Sequence, residues 1–283
     1  MDPGFLNDFE HYLVAFDQDL FYAMQNLGLL ARTQVIVFDL FVKRIPQNLT
    51  DRLSALHQDG VKLVGVDGLI DHRSDLDLIF IPSFRCPVAS IPSGAPIVYG
   101  WDCFLLNIPV ALEVWRPGNK VLVLTGGADV TGLGKIWPEL LNDRLPSSAE
   151  LAWVTGPFAQ APVWPEVPRV KMINHAAPKN LNALMAESQY AATVYGVSFF
   201  ELLGHGIPTV VFSPYGDKDA EELAAIAVAG VALVATDERE ATELLCSLMA
   251  DEILAASLSK RAREKRLHAG SERFVAEMSS LLG

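Results

Sequence analysis

Short runs of apolar, β-branched residues recur along the first 100 residues, and stretches with helical periodicity lie between them. The runs cover residues 34–39, 61–66, 76–81 and 96–99, and the clearest helical stretch is 49–58. Near-continuous apolar strands that alternate with helices are typical of a parallel sheet covered on both faces. The first part of the chain is therefore predicted to be a βαβ succession. Before it, a strand over 11–16 and a helix over 20–29 are the expected elements.

The same alternation restarts after a polar, turn-rich segment at 115–120, which predicts a domain boundary. We therefore expect an N-terminal domain over 1–117 and a C-terminal domain over 118–283. The predicted strands of the second domain are 121–124, 150–154, 170–173, 190–194, 209–212 and 231–234. The predicted helices are 134–142, 181–187, 198–203, 220–229 and 238–249, followed by two amphipathic segments. The fold class is α/β, with two Rossmann-like domains whose parallel sheets are flanked by helices.

Composition fits this organisation and excludes some partners. The chain has 283 residues, of which 51% are hydrophobic and 20% are charged, enough apolar material for two ordinary α/β cores. The formal net charge of −12 repels nucleic acid and anionic lipid, so neither is expected as a partner. A small anion is still an acceptable ligand, because backbone amides at helix N-termini bind phosphate whatever the global charge.

The cysteines and the N-terminus indicate a soluble cytoplasmic protein. Cys86, Cys103 and Cys246 are far apart and follow no metal-ligand spacing, so neither a disulfide framework nor a zinc site is expected. The first residues carry acids where a signal peptide needs basic residues, and no apolar run reaches the length of a membrane span. We expect no metal and no cofactor, and the sequence leaves the oligomeric state open.

Two glycine-containing loops follow predicted strands of the second domain. In the first, Gly126 and Gly127 free the backbone to approach a phosphate, and the following helix is expected to offer unpaired amides. In the second, Gly196 allows a sharp turn, Ser198 is placed to cap the next helix, and Glu201 lies one turn into that helix. Taken singly, the first loop is equally compatible with a plain strand-to-helix turn. The second, taken singly, favours the plain interpretation, with Ser198 as an N-cap and Glu201 as a favourable first-turn acid.

A third loop follows the strand at 209–212, and its Lys218 could meet a phosphate, although taken singly this loop is expected to be a solvated loop. Ligands of open α/β sheets bind at the carboxyl ends of the strands, where all three loops lie. Three such loops at one sheet edge are better explained by one bound diphosphate than by three coincidences. This convergence is the physical basis of the predicted site.

Three further residues are candidates for contacts to a base or to a ligand cleft. His175 follows a predicted strand, and it could contact a base or carry a proton, but a histidine in a surface loop is the expected interpretation. Asp39 and Asp67 end strands of the first sheet. They could act as acid–base groups, but strand-end aspartates often cap the next helix, and capping is the expected role.

Several spaced motifs of the second domain resemble those of GT-B nucleotide-sugar proteins. They are Gly126-Gly127-Ala128-Asp129, Thr155-Gly156-Pro157, Leu184-Met185-Ala186, and the set Gly196, Ser198, Glu201, Gly206 and Pro208. The chain is similar to the MurG-type glycosyltransferases. It is closer still to the UDP-sugar hydrolase of pseudaminic acid biosynthesis and its spore-coat polysaccharide relatives.

The resemblance implies that the glycine loops and the Glu-bearing helix hold the pyrophosphate and ribose of UDP. These roles would fall on Gly126, Gly127, Gly196, Ser198 and Glu201, with base contacts from the loop near residues 173–175. Members of the family also begin with a strand, a glycine-rich turn and a Gly-His pair whose His is central to hydrolysis. This sequence holds no such element, so its first domain is expected to lack it. Where the family has Asn-Gln in the third loop, Lys218 and Asp219 stand here.

Three functional interpretations follow. The first is an enzyme that acts on a UDP-linked amino sugar in surface polysaccharide or glycan biosynthesis, by hydrolysis or by glycosyl transfer, with an unidentified base. The second is a non-catalytic relative that acts as a nucleotide-sugar sensor or interaction subunit, which the missing Gly-His element and the altered third loop favour. The third is an empty scaffold used for protein contacts.

Overall fold

The structure, a computed structural model, describes residues 20–39, 49–86, 93–108 and 114–283. The predicted strand at 11–16 lies outside these ranges. The chain divides into two compact units, one formed by Met1–Cys103 with Glu272–Gly283 and the other by Phe104–Ser271. The predicted boundary between 117 and 118 falls inside the second unit, and the separate roles assigned to the two domains stay predictions.

In the first unit, four described strands form a parallel sheet in the order β1-β2-β3-β4. They are β1 (Val35–Phe38), β2 (Lys62–Val66), β3 (Leu78–Ile81) and β4 (Ile97–Tyr99), and the helices of this part are α1 (Leu20–Asn26) and α2 (Leu49–Gln58). Helix α2 buries Leu49, Leu53 and Leu56, which share one helical face and pack into the core of this unit. The hydrophobic pattern therefore predicted all four strands and the bounds of α2.

The second unit contains a six-stranded parallel sheet in the order β10-β9-β8-β5-β6-β7. Its strands are β5 (Lys120–Leu124), β6 (Glu150–Thr155), β7 (Lys171–Ala176), β8 (Tyr190–Val194), β9 (Thr209–Phe212) and β10 (Leu233–Val234). Its helices are α3 (Trp137–Arg144), α4 (Leu181–Glu187), α5 (Val197–Gly204), α6 (Ala220–Ala229), α7 (Glu238–Ala250) and α8 (Glu252–Glu264), and α9 (Gly270–Leu282) follows them. Helix α9 packs on the first sheet, because the ring of Phe274 meets that of Phe80 edge-on with centroids 5.0 Å apart.

Successive residues of β5 face opposite sides of the second sheet, and both sides are buried. Val121 and Val123 pack in the cluster that contains α3 and α7, whereas Leu122 and Leu124 pack in the cluster that contains α4 and α5. A strand with helices on both faces needs apolar residues at every position, which is why its hydrophobic run is continuous rather than alternating. None of the helices in the described ranges combines the length and apolar character that a membrane span requires.

The larger of these clusters contains a buried polar contact that can be tested. Trp137 is fully buried, and its indole N–H donates to the Thr242 hydroxyl at 2.9 Å, which in turn donates to the Glu238 carbonyl at 2.7 Å. Thr242→Val should leave the indole N–H without an acceptor and lower the free energy of unfolding by about 1–3 kcal/mol in urea denaturation. Ser247→Ala is the control, because Ser247 makes the same bond to a carbonyl four residues earlier on the exposed side of α7. Equal losses in the two variants would contradict the role of Thr242 as an acceptor.

Candidate functional site

The loops after β5 and β8 leave neighbouring strands at one edge of the second sheet. β5 and β8 pair in parallel, so their carboxyl ends lie side by side. After β5 the chain continues to α3 on one face, whereas after β8 it continues to α5 on the opposite face. Such a topological switch point leaves a crevice between the two loops, which is where open α/β sheets bind their ligands.

A hollow of about 330 Å³ lies at this crevice, and we call it the glycine-loop hollow. Three of the predicted residues line it, namely Gly126, Gly127 and Ser198. The remaining lining includes the last residue of β6, residues of the loops after β6 and β7, and the first residue of α4: Thr155, Gly156, Pro157, Ala177, Pro178 and Leu181. The hollow thus brings together two of the three predicted loops with two further segments of chain.

The loop after β5 is organised by Asp129. Its backbone has a φ of 45°, and its carboxylate oxygens accept the amides of Leu133 at 2.9 Å and Gly134 at 2.8 Å. These amides start the short 3-10 helix Leu133–Lys135, so they are not the unpaired donors that the sequence analysis expected from the following helix. The α-helix that follows, α3, begins at Trp137 without a side-chain cap, but no residue of it lines the glycine-loop hollow. The part of this loop that lines the hollow is the glycine pair Gly126 and Gly127.

The loop after β8 leads directly into α5. The helix begins at Val197, and Gly196 holds the N-cap position without a side-chain cap. Gly196 has a φ of 157° and a ψ of −170°, a combination that is essentially restricted to glycine. Ser198 is therefore the second residue of the helix and not its cap, which corrects the predicted role. Because no side chain caps α5, its first amides and the positive end of its dipole are open to an anion.

Glu201 lies one turn further along α5 and is half-buried. Burial raises the pKa of its carboxyl group, and a hydrogen bond from the Ser198 side chain partly offsets this. Ser198 thus joins the hollow to Glu201, since it lines the one and contacts the other. A partly desolvated carboxylate is a strong acceptor for hydroxyl groups of a ligand.

The polar side chains of the loop after β9 contact other residues of the same loop. Lys218 is exposed, and its Nζ lies 5.2 Å from the ring centroid of Tyr215. Asp219 accepts a hydrogen bond of 2.5 Å from the Ser213 hydroxyl, which in turn accepts the amide of Tyr215 at 3.2 Å. None of these four residues lines the glycine-loop hollow. The contribution of Lys218 to a phosphate site stays a prediction.

His175 lies within β7 and not in a loop after it. The strand extends from Lys171 to Ala176 because each of its residues pairs with β6, and His175 is opposite Val154. The residues that reach the hollow from this strand are the next two, Ala177 and Pro178. Ala177 has a φ of 40°, which is uncommon for alanine, and its amide donates to the Thr155 carbonyl at 2.8 Å.

Asp39 and Asp67 belong to the first unit and lie near each other. They directly follow β1 and β2, which are neighbouring parallel strands. Burial raises the pKa of Asp67, and the negative charge of Asp39 raises it further. The predicted capping role of Asp67 was wrong, because the 3-10 helix Ile70–Asp75 has Leu69 at its N-cap and no side-chain cap. An acid–base or cleft role for the two carboxylates stays a prediction.

Gly156 supports the glycine loop from the next strand. A Cβ atom at this position would lie 2.4 Å from the carbonyl oxygen of Gly127 and 2.5 Å from that of Gly126. The amide of Phe158 donates to the same Gly127 carbonyl at 2.9 Å. The backbone of the segment after β6 therefore approaches the backbone of the glycine loop more closely at Gly156 than any side chain would permit.

Sequence reasoning noted the Thr155-Gly156-Pro157 motif but did not assign it to the site. A glycine at the end of an apolar strand, beside another glycine loop, was the available signal. Ala177, Pro178 and Leu181 had no comparable signal, because an alanine, a proline and a leucine after a strand are ordinary loop and helix residues. Among the described residues, no group of three His, Cys, Asp or Glu side chains is arranged to hold a metal ion.

Comparison with solved structures identifies the fold. The chain is similar to MurG of Acinetobacter baumannii, with a TM-score of 0.59 and 15% identity over 92% of this chain and 77% of that one. It is also similar to the glycotransferase of kitacinnamycin, with a TM-score of 0.60 and 17% identity over 95% and 85% of the two chains. A third similar structure is Phytolacca americana UGT2 complexed with UDP-2fluoro-glucose and pterostilbene, with a TM-score of 0.56 and 15% identity over 92% and 78%.

The chain has a GT-B fold. Its two parallel sheets flanked by helices confirm the predicted fold class and the resemblance to GT-B proteins. No protein-family profile matches the sequence, and no curated protein matches it significantly. The narrower resemblance to the hydrolase of pseudaminic acid biosynthesis and the spore-coat family stays a prediction.

Proposed function

We propose that the second unit binds the UDP moiety of a nucleotide-linked sugar in the glycine-loop hollow. The amides of Gly126 and Gly127 and the start of α5 would hold the diphosphate, and Glu201 would accept hydrogen bonds from the ribose hydroxyls. The protein would act on a UDP-linked amino sugar in surface polysaccharide or glycan biosynthesis, as a glycosyltransferase or as a hydrolase.

The observation that supports this proposal is the shared hollow at the switch point. Gly126, Gly127 and Ser198 come from parts of the chain about 70 residues apart, yet they line one cavity. The uncapped start of α5 adds a positive dipole end beside that cavity. The similar structure of Phytolacca americana UGT2 is a complex with UDP-2fluoro-glucose, which supports a ligand of this class.

The same groups could assist either reaction. When the bond between the sugar and the diphosphate breaks, the leaving UDP gains negative charge on a phosphate oxygen. Backbone amides held in place beside this oxygen would stabilise the charge without reorganisation, which would lower the barrier for attack by water or by an acceptor hydroxyl. Donor binding and leaving-group stabilisation are therefore the roles proposed for this hollow, and the attacking group comes from elsewhere.

The test is a titration with UDP and UDP-N-acetylglucosamine, followed by thermal unfolding and calorimetry. At about a hundred times its dissociation constant, a ligand of the native state should stabilise the protein by about 2.7 kcal/mol. Gly127→Ala sharpens the test, because a Cβ at this position would meet no atom within 4 Å in the free protein. The variant should keep its stability to within about 0.5 kcal/mol. It should bind UDP about tenfold more weakly, because the new methyl group stands between the backbone and the phosphate.

Absence of stabilisation by either ligand would reject the proposed site, and unchanged affinity in Gly127→Ala would reject the close approach of the glycine loop. If UDP-sugar binds, nuclear magnetic resonance that follows the release of free sugar or UDP separates catalysis from binding. Binding without turnover, with and without candidate acceptors, would indicate a nucleotide-sugar sensor instead.

A further inference from the structure

A second hollow, of about 550 Å³, lies on the other side of the glycine loop. It is lined by the rest of the β5–α3 loop and by the segment after β6, including Ala128, Val130, Lys135, Ile136, Phe158 and Gln160. We call it the Phe158 hollow. It lies at a different place from the glycine-loop hollow. The residues that line it include those directly before α3, whereas the glycine-loop hollow is lined by residues at the start of α4 and α5.

The two hollows share their walls. Gly127 lines the first and Ala128 the second, and in the neighbouring loop Pro157 lines the first and Phe158 the second. Both pairs are consecutive residues, so two short backbone segments separate the cavities. A molecule in the Phe158 hollow would therefore lie next to a molecule in the glycine-loop hollow.

The Phe158 hollow presents large apolar side chains to solvent. Phe158 is 85% exposed, Val130 is 75% exposed and Ile136 is 48% exposed. Single exposed apolar residues are common on protein surfaces, but three of them around one concave site form an apolar patch of the kind that marks ligand sites. The segment 156–170 that contributes Phe158 contains neither helix nor strand, and long irregular loops in compact units are usually functional.

The charges of the hollow favour an anionic group on the ligand. Lys135 is exposed and lines the hollow, and no described residue forms an ion pair with it. The acid in the lining, Asp129, directs both carboxylate oxygens to the amides of Leu133 and Gly134, which partly satisfies its charge. The lysine ammonium is therefore the charged group available for a ligand, and Gln160 adds a neutral polar side chain.

From these features we propose that the Phe158 hollow is a second ligand site for a small amphiphilic anion. The apolar body of the ligand packs against Val130, Ile136 and Phe158, and its anionic group pairs with Lys135. This site goes beyond the proposed function, because it does not require the glycine-loop hollow to bind UDP.

The test uses two matched fluorescent probes on the full chain. One is 1-anilinonaphthalene-8-sulfonate, and the other is N-phenyl-1-naphthylamine, which is the same molecule without the sulfonate. Val130→Ser should weaken the binding of both probes about tenfold, since it replaces apolar contact with a hydroxyl. Lys135→Ala should weaken the sulfonate probe about tenfold and the uncharged probe by less than about twofold.

Two control variants carry the same kinds of substitution at exposed positions outside the Phe158 hollow. Val228→Ser alters a valine of α6 that is 91% exposed, and Lys260→Ala removes a positive charge from α8. Both should leave the probe affinities within about twofold of the wild type. The proposal is overturned if Val130→Ser and Lys135→Ala behave like their controls, or if Lys135→Ala affects both probes equally. A UDP titration of the same samples reports on the other hollow, so failure of one site is distinguishable from failure of the other.

Discussion

Replacement of Gly156 by alanine should lower the free energy of unfolding by about 3 kcal/mol and abolish UDP binding at ordinary ligand concentrations. The added Cβ would stand 2.4 Å from the Gly127 carbonyl oxygen and 2.5 Å from the Gly126 carbonyl oxygen. Both obstacles are backbone atoms, so no side-chain rotation can relieve the overlap. The glycine loop must then move away from the segment after β6, and the Phe158 amide loses its acceptor.

Urea denaturation and UDP calorimetry measure the two effects separately. Gly127→Ala is the matched control, because the same methyl group at this position enters open space in the free protein. The two variants should differ in stability and agree in weakened UDP binding. Gly156→Ala with wild-type stability and wild-type affinity would show that the contact between the two loops is not needed.

Replacement of Glu201 by glutamine should weaken UDP binding about tenfold or more while leaving the fold intact. The carboxylate is the proposed acceptor for ribose hydroxyls, and hydrogen bonds to a charged group contribute about 1.5–3 kcal/mol. Burial raises the pKa of this carboxyl above its ordinary value of 4.5, which means that the charged form is unfavourable in the free protein. Glutamine removes that charge, so Glu201→Gln should be at least as stable as the wild type at neutral pH.

The sign of the pH dependence follows from the raised pKa. The native state keeps the Glu201 proton to higher pH than the unfolded state does, so the wild type loses stability relative to Glu201→Gln as pH rises through this interval. Binding has the opposite trend, because ribose hydroxyls donate to the ionised carboxylate. The ratio of wild-type to variant affinity should shrink as pH falls from about 8 to about 5. The ratio cancels the titration of UDP itself, which is common to both proteins.

Glu139→Gln on α3 is the control, since Glu139 is exposed and does not line the glycine-loop hollow. It should bind UDP as the wild type does at every pH. If Glu201→Gln retains wild-type affinity, Glu201 is not the ribose acceptor, and its burial is a structural property of α5 alone.

Much of the fold could be predicted because local patterns and tertiary packing agree. The predicted bounds of α2, α4 and α6 match the structure, since apolar spacing and helix-ending residues such as Gly230 coincide there. The predicted start of α7 at residue 238 also matches the structure, because the side chain of Asp237 accepts the amides of Arg239 and Glu240 and caps the helix there.

The details of the site were less predictable. They depend on contacts between residues distant in sequence, or on which of two nearby residues occupies a structural position such as a helix cap. Nothing local distinguishes Gly196 from Ser198 as the cap of α5, and the structure selects the glycine. The aspartate in the first loop satisfies amides four and five residues later, which shifts the start of α3 to Trp137. The close backbone contact between Gly156 and Gly127 joins two loops about 30 residues apart, and the spacing of residues along the chain does not predict such a contact.

Gly156 and Gly127 differ in the constraint that keeps glycine at each position during evolution. At position 156 the neighbouring backbone itself leaves no room for a side chain, so relatives that do not bind the proposed nucleotide should still carry glycine there. At position 127 the free protein has room for a methyl group, so drift to alanine becomes permissible once no phosphate needs the space. Under the proposed function, related sequences in which 156 is invariant while 127 varies would thus be those that do not bind the nucleotide.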